Sequence, residues 1–137
     1  MNWTPPSKAE IQELLKRSKT VAIVGVSDKE DRASNAVAKY LLDNSHFTLY
    51  FVNPLLETVL GQKSYASLSE IDGEIDIVDI FRKPADCLPI AQEAIEIGAK
   101  AIWLQLGIIN SDVAELGASA GLTVVMDRCI KIDYAAM

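Results

Sequence analysis

Short apolar runs alternate with amphipathic segments along this chain, and that alternation constrains the fold more than any single residue does. "TVAIVG", "FTLYFVNP", "IDIVDIF", "AIWLQLG" and "LTVVMD" read as strands. They are too uniformly apolar for a sheet with one wet face, so both faces should be covered. Between them lie helical patterns. "SKAEIQELLKRS" opens on Ser7 and Glu10 as a capping box, and "SNAVAKYLLDNS" turns Val37, Tyr40 and Leu41 inward. "ADCLPIAQEAIEIGA" and "SDVAELGASAG" follow. Only "LLETVLGQKSYASLSEIDG" breaks the rhythm, with room for one short strand near Tyr65. Strands alternating with helices through short loops predict an α/β fold: a doubly wound, mostly parallel sheet with helices on both faces. A chain of 137 residues predicts one domain over 1–137, behind a loose lead-in at residues 1–6.

In such a sheet a ligand sits beyond the carboxyl ends of the strands, at the switch point. Gly25-Val26-Ser27, Asn53-Pro54, Phe81-Arg82-Lys83, Gln105-Leu106-Gly107 and Asp127-Arg128-Cys129 stand there. Six of the thirteen Lys and Arg fall on this edge, namely Lys29, Arg32, Arg82, Lys83, Arg128 and Lys131, although the net charge is −6. The acidic balance argues against a general nucleic-acid binder. The local cations predict a phosphate-bearing small molecule.

The first turn, "GVSDKEDR", starts like a dinucleotide fingerprint and departs from it. Ser27 and Glu30 stand where the second and third glycines belong, and the second strand ends on Asn53, not on the carboxylate that meets a ribose diol. NAD(P) is therefore the less favoured ligand. Ser27 offers a hydroxyl and Arg32 a charge, which suits an anion.

The order GVSDKEDR…VNP…LGQKSYASLSEI…VDIFRKP…GAKAIWLQLGIIN…AGLTVVMDRC resembles the small stand-alone CoA-binding proteins of bacteria and archaea. That family shares the Rossmann-like fold of the N-terminal domain of the succinyl-CoA synthetase alpha subunit, and the resemblance spans roughly residues 10 to 130. It implies coenzyme A as the bound cofactor. By position, Gly25, Val26, Ser27 and Lys29 correspond to the phosphate-contacting turn, with Arg32 close by. Asn53, Pro54 and Leu55 correspond to the loop beside the nucleotide. Phe81 and Arg82 correspond to the segment over the adenine, and Leu104, Gln105 and Leu106 to the pantetheine path. The expected role is a CoA or acyl-CoA binder without its own catalytic machinery: a carrier, a sensor or a regulatory subunit, with a protein partner or a second copy allowed. The alternatives are an NAD(P)-binding or acyl-CoA-processing enzyme, and an interaction module that lost its ligand.

No catalytic constellation stands out. His46, the one histidine, precedes the second strand, a strand of about six residues and so about 20 Å from the ligand edge. It is expected on a surface loop. Asp76 and Asp79 flank or enter a strand and are expected to make structural hydrogen bonds. Cys87 is expected to pack. Cys129 either closes the last strand as a small residue or, beside Arg128, meets the sulfur of CoA as a mixed disulfide. No metal-ligand spacing occurs. The start of the chain lacks a secretory pattern, no apolar run reaches membrane length, and Cys87 and Cys129 form no disulfide framework, so the expected compartment is cytoplasmic.

Overall fold

A computed structural model describes residues 3–137 of the chain. Helix α1 (Lys8–Arg17) opens on the expected capping box: the Ser7 hydroxyl accepts the Glu10 N–H at 3.1 Å, and the Glu10 carboxylate accepts the Ser7 N–H at 3.0 Å. Strand β1 (Thr20–Val24) and helix α2 (Ala33–Asn44) follow, then β2 (Thr48–Val52). A small hairpin, β3 (Thr58–Val59) and β4 (Gln62–Tyr65), replaces a crossover helix. The remainder is β5 (Ile77–Ile80), α3 (Cys87–Glu96), β6 (Ala101–Leu104), α4 (Ser111–Ser119), β7 (Thr123–Val125) and α5 (Ile130–Ala135).

The sheet runs β3-β4-β2-β1-β5-β6-β7, and every pairing except β3 with β4 is parallel. The chain starts in the middle, winds out through β2, and returns to add β5 on the other side of β1. Strand order therefore reverses between β1 and β5.

Residue alternation along the strands divides the interior in two. Ile23, Ile77 and Trp103 join Leu14, Leu15, Leu41 and Ile130 on the face covered by α1, α2 and α5. Val24, Val78 and Ile102 join Ala91, Ala94 and Val113 on the face covered by α3 and α4. The predicted doubly wound fold is the one observed.

Three elements differ from the sequence reading. The hairpin turns at Leu60 and Gly61, both with positive φ (50° and 74°). Leu at such a position gives no turn signal; its side chain packs against the core, which compensates the backbone strain. Helix α5 has only six residues and was not expected. Two side chains, one in β6 and one just after it, fix its start: the Trp103 indole donates to the Arg128 carbonyl at 2.8 Å, and the Gln105 amide oxygen accepts the Ile130 N–H at 3.1 Å. Finally, the described part of the lead-in is not loose. The Trp3 indole donates to the Val124 carbonyl of the outermost strand β7 at 2.9 Å.

Candidate functional site

A crevice of about 560 Å³ opens at the switch point, between the carboxyl ends of β1 and β5. Gly25, Ser27 and Arg32 form one wall; Phe81, Arg82 and Lys83 form the other. Six residues singled out from the sequence therefore meet in one place.

Gly25 is required there by packing. Its φ is +87°, and a Cβ would collide with the Phe81 carbonyl oxygen and lie 3.2 Å from Arg82 Nε. Its N–H donates to the Val52 carbonyl at 2.9 Å, so that donor is not available to an anion. The glycine brings β1 and β5 close enough for Arg82 to lie over the turn. Val26 is wholly buried beneath it.

Ser27 is tied to the start of α2 by residues the sequence reading did not single out. Its N–H donates to the Ser34 hydroxyl, and its carbonyl accepts the Asn35 amide, each at 2.9 Å. Polar residues in a first helical turn were the available signal. The Ser27 hydroxyl accepts the Lys29 N–H at 3.1 Å, which leaves its own proton to donate into the crevice. Helix α2 begins after Arg32 with no side-chain cap and no acidic residue in its first turn, while Ala33 and Ser34 line the crevice. An uncapped helix start presents N–H groups and a partial positive charge. Among the described residues, Arg32, Arg82 and Lys83 take part in no ion pair. Asp86 is the one carboxylate lining the crevice. The arrangement can bind a multiply charged anion.

Cys87 sits below the cationic loop. Its thiol is buried and lies 3.3 Å from the Lys83 carbonyl and 3.8 Å from that of Arg82. Burial, with Asp86 adding repulsion, pushes the thiol above its ordinary range, so it remains a donor to that loop.

The other expected site residues are placed differently. Asn53 is spent on the loops: its amide donates to the Val26 carbonyl at 2.9 Å and its oxygen accepts the Leu55 N–H at 3.0 Å. Pro54 and Leu55 are exposed outside the crevice, Leu55 by 87%. Leu104 is fully buried against α3 and α4, Gln105 is buried under α5, and only Leu106 of that trio reaches solvent. The Lys29 side chain does not line the crevice, and Lys131 stacks 5.4 Å above the Tyr40 ring. Cys129 is half-buried and packs against the core on the α5 face. The cation beside it is occupied, because Arg128 grips Asp133 with two hydrogen bonds of 2.8 and 2.6 Å.

His46 is exposed at the opposite edge of the sheet. It hydrogen-bonds the Tyr134 hydroxyl (2.9 Å) and the Ser18 carbonyl (2.8 Å), joining the ends of α1 and α5. Asp76 is structural as expected, accepting the N–H groups of Lys19 and Thr20 at 2.7 and 3.1 Å. Asp79 corrects the expectation. It is wholly buried in β5 between Ile23 and Trp103, neither carboxylate oxygen has a hydrogen-bond partner among the described residues, and burial pushes its carboxyl well above the ordinary range. No group of metal-ligating side chains occurs among the described residues, and no described helix is long and apolar enough to cross a membrane.

The profile of the CoA binding domain family matches residues 19–135. A Bacillus subtilis protein, "Uncharacterized protein YneT", is 44% identical over 130 residues, covering 95% of this chain and 96% of that one. The ADP-forming acetate–CoA ligase I of Archaeoglobus fulgidus is 28% identical over 123 residues; the match takes in 82% of this chain and 18% of the ligase. A solved structure, a hypothetical protein from Pyrococcus horikoshii OT3, superposes with a TM-score of 0.90 at 37% identity, covering 99% of this chain and 98% of that one.

Proposed function

We propose that this chain, which belongs to the CoA binding domain family, binds coenzyme A in the crevice between the ends of β1 and β5. The observation that carries the reading is the set of three cations, Arg32, Arg82 and Lys83, that take part in no ion pair among the described residues and surround an uncapped helix start. CoA brings a diphosphate and a 3′-phosphate, and so needs more than one cationic contact. In this reading the diphosphate meets the Ser27 hydroxyl and the first N–H groups of α2, with Arg32 beside them. Arg82 and Lys83 take the remaining phosphate charge, and Phe81 lies against the adenine. Asn53 serves by holding the turn at Val26 and the loop at Pro54 and Leu55 in register. Leu106 is the exposed residue along which the pantetheine arm runs.

The proposed role is ligand binding without chemistry, as a carrier, a sensor or a regulatory subunit. The acetate–CoA ligase is a much longer protein, of which the matched part is 18%, and its reaction is not transferred to this chain.

Calorimetric titration tests the reading. CoA should bind and NAD should bind weakly or not at all, since Asn53 replaces the ribose carboxylate and its side chain is committed to the loops. Equal affinities, or a preference for NAD, would reverse the assignment.

A further inference from the structure

A second cavity, of about 350 Å³, lies at the carboxyl end of β7. Its walls are mostly apolar: Trp3, Pro5 and Pro6 of the lead-in, Ile109, Val125 and Met126. It and the crevice share a partition, the loop between β6 and α4. Ile108 lines the crevice, and the next residue, Ile109, lines the second cavity. The loop is anchored from both sides. The Gly107 N–H donates to the Asp127 carboxylate at 2.6 Å on the β7 side, and the Asn110 amide donates to the Pro84 carbonyl at 2.8 Å on the crevice side.

Strands β5, β6 and β7 are neighbours, so their ends are separated by about 10 Å in all. The pantetheine arm of CoA, a chain of about a dozen bonds of main-chain length, outreaches that gap when extended. The path between is open and passes Leu106, which is 65% exposed; Ile109, 57% exposed, lies beyond it on the wall of the second cavity. We infer that the second cavity receives the acyl group of an acyl-CoA whose nucleotide lies in the crevice. The inference rests on the CoA reading above and adds the class of acyl group. That class is neutral and aliphatic. The cation on this wall, Arg128, is already neutralised by Asp133, so a dicarboxylic acyl group would bury a carboxylate without a partner. The rigid rings of Trp3, Pro5 and Pro6 lose little freedom when a chain packs on them.

The test is a calorimetric series of CoA, acetyl-CoA, butyryl-CoA, hexanoyl-CoA and succinyl-CoA. From acetyl to hexanoyl the affinity should rise, by at most about fourfold per added methylene. Succinyl-CoA should bind more weakly than butyryl-CoA. Ile109→Asp, at an exposed position where folding should be undisturbed, should flatten the series and leave CoA itself within about twofold. Its thermal melt would confirm the fold. A flat series in the unaltered protein, with CoA binding intact, would overturn the acyl site and spare the crevice. Ile109→Asp weakening CoA as much as hexanoyl-CoA would also overturn it. If none of the five binds, both readings fall together.

Discussion

The α-carbon of Gly25 faces the carbonyl oxygen of Phe81 so closely that no β-carbon fits between them. This single approach joins the ends of the two strands at which the sheet reverses its order. It also explains why one glycine of the dinucleotide fingerprint is present without the other two. The glycine serves the contact between strands, and the anion-facing groups come from Ser27, Arg32 and Arg82.

Gly25→Ala should accordingly damage the fold before it damages binding. A left-handed residue with a side chain costs about 1 kcal/mol, and displacing a backbone carbonyl adds to that. Urea denaturation should show a loss of about 2–4 kcal/mol. A loss below about 1 kcal/mol would mean that the β1 and β5 ends separate freely.

Arg82→Ala should weaken CoA binding by about 1–3 kcal/mol through loss of a charge-assisted hydrogen bond. Because Arg82 makes no ion pair among the described residues, the melting temperature without ligand should hardly move. Unchanged affinity with a lowered melting temperature would make Arg82 a structural residue.

Asp79 makes stability depend on pH in an unusual direction. Burial raises its carboxyl well above the ordinary range, so the folded chain keeps a proton that the unfolded chain releases above about pH 4. Stability should therefore decline as pH rises above about 4 toward the raised folded value, by up to about 1.4 kcal/mol per pH unit. Asp79→Asn, of similar shape and always neutral, should remove that decline. Parallel pH–stability curves for the two proteins would show that Asp79 does not hold the proton.

Alkylation with iodoacetamide should modify Cys129 first in the native protein. Cys87 is buried, its thiol is pushed up by burial, and it faces the carbonyls of Arg82 and Lys83. Peptide mass spectrometry locates the label. Early labelling of Cys87 would mean that the start of α3 opens in the folded state. A CoA disulfide, offered as the reagent, should follow the same order.

The alternation of apolar runs was sufficient for β1, β2, β5, β6 and β7 and for the first four helices, because burial on both faces leaves a strong mark in the sequence. Leu60 left no mark, since its turn is compensated by packing between residues distant in the chain. Helix α5 was hidden for a similar reason: its start is set by Trp103 and Gln105, about 25 positions earlier. At the site, strand order predicts which residues stand on the edge, and Gly25, Ser27, Arg32, Phe81 and Arg82 do come together. It does not tell which way a side chain turns. Gln105 turns inward to α5, Asn53 turns to its own loop, and Arg128 turns to Asp133. Ser34 and Asn35 escaped notice because they act on the backbone of Ser27 and carry no charge.

The bond from Trp3 to Val124 has a consequence for how copies of this protein meet. Strand β7 ends the sheet, and a bare terminal strand is a template on which another chain can add a strand of its own. Trp3 takes one acceptor of that template, and Pro5 and Pro6, which carry no N–H, cannot extend the ladder outward. A chain trimmed to begin at Ser7 would expose this border. It should then turn cloudy or form mixed oligomers at concentrations where the full chain stays dispersed, with its ligand crevice still intact.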